Sequence, residues 1–161
     1  MRLLLIVLTA ALVASVPVPV AAQRSDQDLF SGFVDELGGL QVGGLYAINL
    51  GESSFRVAKV LALNRQAVHV RVYGNHYASP PGDIDPAELD IRASGDPQGW
   101  GIGHLPLTWD LFASWQPHFL RAAEVTAEEL DGFHEWQHAR GGVFAGPGGR
   151  QAILRLLSVG P

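Results

Sequence analysis

The stretch GGLYAINLGESSFRVAKVLALNRQAVHVRVYGN, residues 43–75, contains three β-rich runs that are separated by two short polar turns. Tyr46, Ile48 and Leu50 recur at every second position of the first run, and three valines do so at positions 68–72 of the third. A two-residue period places alternate side chains on opposite faces of a sheet. The stretch therefore predicts a three-stranded antiparallel meander, which is stable only if other elements cover its apolar face.

A helix that could provide this cover is predicted before the meander. Ser25 can cap a helix over residues 26–37, and Gly38 and Gly39 would end it. Its apolar side chains recur at helical spacing and so share one face. They are Leu29, Phe30, Phe33, Val34 and Leu37.

Two further helices are predicted after the meander. Thr108 can cap a short helix over residues 109–115. Thr126 and Glu129 then form a capping box ahead of a longer helix over residues 127–140. The longer helix is the second candidate cover for the sheet.

The order of these elements predicts the fold class. Strands that follow one another without intervening helices pair antiparallel, and residues 119–125 can return as a further strand. We predict an α+β fold: a small, strongly bent, SH3-like antiparallel sheet covered by the N-terminal and the C-terminal helix. The tail over residues 146–161 fits a last strand, a short helix or a partner-binding segment, because its apolar residues do not follow one period.

The first residues have the pattern of a secretory signal peptide. Arg2 precedes an apolar run over residues 3–16, and small residues lead to a cleavage position after Ala22. The competing interpretation is a membrane anchor, but Pro17 and Pro19 end the run short of the ~20 apolar residues that a spanning helix needs. We therefore expect an exported protein, periplasmic or extracellular, without stable membrane anchoring after cleavage.

The remaining chain is long enough for one ordinary domain. An amphipathic helix and linker occupy residues 23–42, and a single α+β domain with a short tail occupies residues 43–161. The chain has no cysteine, so neither disulfides nor thiol catalysis are available. Its formal net charge is −5 and its basic residues are scattered, which argues against a nucleic-acid partner.

The second hairpin of the meander can pair in two registers, and the register decides which side chains are exposed. In one register Lys59 lies opposite Arg71, on the same face as His69 and Tyr73. Opposed cations repel unless an anion lies over them, so these four residues form the candidate anion-binding surface. A shift by one residue would instead bury Leu61. A further interpretation is that the chain's own carboxylates pair with this face.

Residues 134–138 read HEWQH and match the H-E-x-x-H motif of zinc peptidases. His134 and His138 lie one turn apart on the predicted helix, so both could bind zinc, and Glu135 could act as a base on a metal-bound water. A catalytic zinc needs a third protein ligand, and Phe144 stands where the extended motif would place it.

The helical wheel gives a second objection to a zinc site. Leu130, Phe133 and Trp136 define the buried stripe, and the two histidines of the motif lie roughly 110° to 150° away from it. The wheel therefore predicts that His134 and His138 face solvent.

Two functional hypotheses follow from these motifs. The favoured one is an exported, non-catalytic protein that binds a protein partner or a small anionic ligand through the sheet face, because the sequence holds no complete catalytic constellation. The alternative is a zinc-dependent hydrolase that uses the HEWQH motif. Zinc is the cofactor of the alternative only, and the favoured hypothesis needs none.

Three segments carry a resemblance that covers residues 43–144. They read GGLYAINLG…FRVAKVLAL, GIGHLPLTWDLFASWQP and ELDGFHEWQHARGGVF. The chain resembles small bacterial β-barrel proteins of uncharacterised function through them, and its opening hairpins are similar to those of certain immunity proteins that neutralise secreted toxins. The resemblance implies conserved packing and transfers no catalytic residue. The signal peptide and the tail over residues 146–161 are departures from these proteins, and they argue against a cytoplasmic immunity role.

Overall fold

The computed structural model describes residues 39–51, 54–91 and 99–159. Within these ranges the chain forms a five-stranded sheet and three helices. The elements are strands β1 (Gly44–Gly51), β2 (Ser54–Leu63), β3 (Val68–Val72), β4 (Ile102–Leu107) and β5 (His118–Ala122), and helices α1 (Trp109–Ala113), α2 (Asp131–Ala139) and α3 (Gly146–Val159). Short 3-10 turns lie at Pro86–Glu88 and Glu128–Leu130.

The sheet has the order β4-β3-β2-β1-β5, and every neighbouring pair is antiparallel. The first three strands form the predicted meander, and β5 pairs with β1 as the further strand that residues 119–125 predict, although it ends at Ala122. The α+β class is therefore confirmed. Strands β4 and β5 form the two edges, so among the described residues the sheet is not closed into a barrel.

One face of the sheet carries the larger core. Alternate residues of the strands, such as Val60 and Val70, pack there with Phe112 from α1 and Ile153 from α3. Leu40, at the start of the described chain, belongs to the same cluster and is almost fully buried. The chain thus enters the fold on the side that helices α1 and α3 cover.

The opposite face is smaller and more polar. Leu45 and Val57 form its apolar part together with Tyr73. The predicted capping box is present, because the N–H of Thr126 donates to Glu129 Oε2 at 2.9 Å and the N–H of Glu129 donates to Thr126 Oγ1 at 3.4 Å. The first turn is a 3-10 turn, so α2 begins at Asp131 and not at residue 127.

The other helix predictions have mixed outcomes. The hydroxyl of Thr108 accepts from the N–H of Leu111 and caps α1, as predicted, although the helix ends at Ala113. The tail is helix α3, one of its three predicted forms. The predicted helix over residues 26–37 and the signal peptide lie outside the described residues. Among the described helices, none is both long and apolar enough to cross a bilayer.

Candidate anion-binding site

The β2–β3 hairpin combines both of the registers that the sequence allowed. Lys59 pairs with Arg71 and Val60 with Val70, but the register then shifts by one residue, so that Leu63 pairs with Val68. A β-bulge of this kind lets one strand change its facing partners part-way along the hairpin. The two cations are therefore opposed, and Leu61 is nevertheless buried.

Lys59, Arg71 and Tyr73 converge on one carboxylate, and we call these three residues the cationic cradle. Glu129 Oε2 lies 2.7 Å from Lys59 Nζ. Glu129 Oε1 lies 3.4 Å from Arg71 Nη1 and 3.4 Å from the hydroxyl of Tyr73. Lys59 also donates to the backbone carbonyl of Glu124. The same carboxylate that caps the α2 segment thus pairs with both cations of the sheet face, as expected if the chain's own carboxylates pair with this face.

The cradle holds more positive than negative charge. Two cations share one carboxylate, and within the described part of the chain the buried Nε of Arg71 has no hydrogen-bond partner. The side chain of Arg71 is 20% exposed, against 6% for Lys59 and 9% for Glu129. Arg71 is therefore the member of the cradle that a ligand in solution can reach.

The pKa values of the cradle follow from its burial and charges. Burial alone would raise the pKa of Glu129, but hydrogen bonds from Lys59 and from the N–H of Thr126, with the charges of Lys59 and Arg71, hold it below its usual value. Burial, reinforced by the charge of Glu129, raises the pKa of Tyr73 to about 12. Glu129 is therefore ionised at neutral pH, and Tyr73 is a neutral donor.

His69, the fourth predicted ligand-binding residue, does not contact this carboxylate. It is fully buried and lies in a hydrogen-bonded row with Asn64 and His104. The amide oxygen of Asn64 accepts from the N–H groups of Gln66 and Ala67, both at 2.9 Å, so its amide nitrogen faces His69. Asn64 Nδ2 then donates to Nε2 of His69 at 2.9 Å.

This row assigns the tautomers of both imidazoles. Because Nε2 of His69 accepts, its proton lies on Nδ1, which donates to Nε2 of His104 at 3.0 Å. The two rings are nearly parallel, with an interplanar angle of 6°. Each acceptor nitrogen in the row is already used, so protonation of either ring at that nitrogen must break a hydrogen bond. Burial and the neighbouring His104 lower the pKa of His69 to about 4.

The two histidines and the glutamate of the HEWQH motif lie on the outer side of α2, whereas its tryptophan faces the sheet. Phe133 and Trp136 contact the ring of His69 at centroid distances of 4.8 and 4.5 Å. His134 and His138 are exposed, as the helical wheel predicts, and Glu135 is exposed as well. Among the described residues, no group of three His, Asp or Glu side chains comes together in a way that could hold a metal ion.

Sequence reasoning missed a buried arginine on the other face of the sheet. Arg56 is 2% exposed and donates to His76 Nε2 at 2.6 Å and to the carbonyl oxygens of Trp100 and Leu157. No ion pair joins it to a carboxylate among the described residues. Burial lowers its pKa to about 10. Arg56 lies at the C-terminal end of α3, where the negative end of the helix dipole favours a cation. No local pattern in the sequence predicts this contact.

No protein-family profile matches the chain, and comparison with curated proteins and with solved structures found no significant match.

Proposed function

We propose that the protein is an exported, non-catalytic binding protein that receives a carboxylate, from a partner protein or a small ligand, at the cationic cradle. One observation carries the proposal: Lys59 of β2, Arg71 of β3 and the phenol of Tyr73, just after β3, already hold one carboxylate, yet the ion pairs among the described residues leave one positive charge unbalanced. Buried charges are normally paired, so the partly exposed guanidinium of Arg71, which shares its carboxylate with Lys59, is suited to a second anion.

Glu129 occupies the inner part of the cradle as an internal carboxylate. A ligand would therefore first contact the accessible side of Arg71, and it would bind more tightly if Glu129 carried no charge. Arginine is suited to this role because its planar guanidinium can donate to both oxygens of a carboxylate. The proposed ligand class is therefore a carboxylate and not a neutral amide.

The proposal can be tested by titrating the protein with acetate and with a short polyglutamate peptide, using acetamide and polyglutamine as neutral controls. We expect saturable binding of the acidic probes by calorimetry, weakened by Arg71→Gln and strengthened by Glu129→Gln. Arg65→Gln is the matched control, since it removes the same charge from an exposed position in the β2–β3 turn. Equal weakening in both arginine variants, or no binding of either acidic probe, would refute the proposal.

The alternative, a zinc-dependent hydrolase, has no observation in its favour beyond the motif itself. It needs His134 and His138 to be joined by a third protein ligand, and the described residues bring none to them.

For the HEWQH motif we expect that replacing both histidines with alanine changes the free energy of unfolding by no more than ~0.5 kcal/mol, as for most exposed positions. Trp136→Ala should cost more, roughly 2 kcal/mol, because this ring packs on His69 and His104. Urea denaturation in the presence of a chelator measures the free energy of unfolding of both variants. Stoichiometric zinc in the purified protein, lost in the double variant together with a hydrolytic activity, would establish the alternative.

Export is part of the proposed function. If the signal peptide is cleaved after Ala22, the mature protein begins at Gln23. We expect N-terminal sequencing of the protein recovered from the exporting compartment to give this residue. Retention of residues 1–22 in a membrane fraction would instead indicate an anchor.

We also infer that the sheet bends strongly in the SH3-like manner. Support comes from the register, which shifts in all four strand pairs. Bulges bend a strand and increase the local twist, so four of them favour a curled over a flat sheet. The relationship to small β-barrel and immunity proteins is a proposal of the same kind, and it favours a protein as the partner.

A further inference from the structure

Helix α1 and the first turn of α3 enclose a surface cavity of about 260 Å³ whose walls are almost entirely apolar. The two helices approach closely there because Gly149 has no side chain, and a Cβ at this position would lie 3.3 Å from Leu111 Cδ2. The cavity is lined by Asp110, Leu111, Ser114, Gly146, Pro147 and Arg150.

The size and charge of this region restrict what can fill the cavity. An apolar cavity of about 150 Å³ already holds a benzene molecule, so this one accommodates an aromatic side chain. Helix α3 carries Arg150 and Arg155 and no acidic residue, whereas Asp110 lies on the opposite rim. An occupant with aromatic residues on one face and several carboxylates would suit an apolar cavity beside a basic helix.

The chain itself contains a segment of this chemistry next to the place where the described fold begins. Leu40 belongs to the same buried cluster as Leu111 and Ile153, so the polypeptide enters on the side of α1 and α3. The preceding residues 25–37 contain Phe30 and Phe33 three positions apart. As a helix they would be about 20 Å long, which is enough to cross this side of the domain.

The charge of the segment agrees with this location. Residues 25–37 contain four acidic residues and no basic one, so α3 attracts them. The acidic residues are Asp26, Asp28, Asp35 and Glu36.

We propose that residues 25–37 dock against helices α1 and α3 with the Phe30 and Phe33 side chains directed to the cavity. This contact is independent of the cationic cradle, which lies on the opposite face of the sheet. It would bury an apolar surface that otherwise faces water, and it would join the N-terminal segment to the domain.

The absence of cysteine makes a specific crosslinking test possible. Gly148→Cys introduces a single thiol beside the cavity at a position where an added Cβ meets no atom within 4 Å. The purified protein that retains residues 23–161 is labelled there with a benzophenone maleimide, mixed with ¹⁵N-labelled protein and irradiated. We expect mass spectrometry to locate the crosslink in residues 25–37 of the same molecule.

Two variants complete the experiment. Phe30→Asp combined with Phe33→Asp should abolish this crosslink, whereas Ser31→Asp, which adds a carboxylate outside the apolar face, should keep it. Circular dichroism verifies that the variants remain folded. A crosslink between unlabelled and ¹⁵N-labelled copies would show that a second molecule fills the cavity, and a crosslink that avoids residues 25–37 would show that the segment lies elsewhere. Either result overturns the proposal.

Discussion

Replacing Glu129 with alanine is expected to destabilise the protein by roughly 3 to 5 kcal/mol, which is the usual cost of removing one partner from a buried ion pair. Lys59 is almost fully buried and would lose its ionic partner, and Arg71 would lose its only ion pair among the described residues. The substitution also removes half of the capping box with Thr126. Since most domains are stable by only about 5–15 kcal/mol, the variant should be close to unfolding at moderate temperature.

The control for this prediction is the neighbouring acidic residue. Glu128→Ala removes the same charge from the same 3-10 turn, but its side chain is exposed, so its effect should stay within ~0.5 kcal/mol. Lys59→Met combined with Glu129→Leu should recover much of the loss, because well-packed apolar residues often replace a buried pair without cost. Urea denaturation measures all three variants. Equal, small losses in both glutamate variants would show that the ion pair is not a structural contact in solution.

Acidification is expected to weaken the fold through the buried His69–His104 pair. The pKa of His69 is lowered to about 4 from its ordinary 6.5, so between these values the unfolded chain binds a proton that the folded protein does not. The stability that the neutral ring contributes is complete above pH 6.5 and is lost progressively as the pH falls to about 4. The loss has an upper limit of roughly 3 kcal/mol for this ring.

Protonation of His104 also weakens the fold as the pH falls, because burial lowers the pKa of this ring as well. The carboxylate of Glu129 titrates in a lower window: its pKa is held below the ordinary 4.5, so its contribution is complete above that pH and is lost only as the pH falls further. Measurements between pH 7 and pH 5 therefore report mainly on the histidines.

The measurement is the free energy of unfolding in urea as a function of pH. His69→Gln removes the titrating ring, while its amide can still accept from Asn64 and donate to His104. We expect this variant to lose less stability than the wild type between pH 7 and pH 5. The double variant His134→Ala/His138→Ala is the matched control, since it removes two imidazoles from exposed positions. An unchanged pH dependence in His69→Gln would contradict the assignment of the effect to this pair.

The candidate site could be predicted only in part. Lys59, Arg71 and Tyr73 were placed together correctly because alternation along β3 and the facing position on β2 follow from local pattern. Their carboxylate partner lies 70 residues from Lys59 in the chain, and no sequence period relates the two. His69 was assigned to the same surface by alternation, but its actual partner, His104, comes from a different strand 35 residues away.

Sequence by itself determined the local features of this protein: the meander, the cap at Thr108 and the capping box of Thr126 and Glu129. These features depend on side-chain periodicity and on hydrogen bonds between residues three apart, so they can be predicted from residues that are close in the sequence. Only the tertiary structure decided the bulge that joins two registers, the closure of the cationic cradle and the row of imidazoles behind α2. The cradle and the row of imidazoles depend on contacts between segments that are distant in the sequence. The register of the hairpin depends on which faces of its strands the rest of the fold buries.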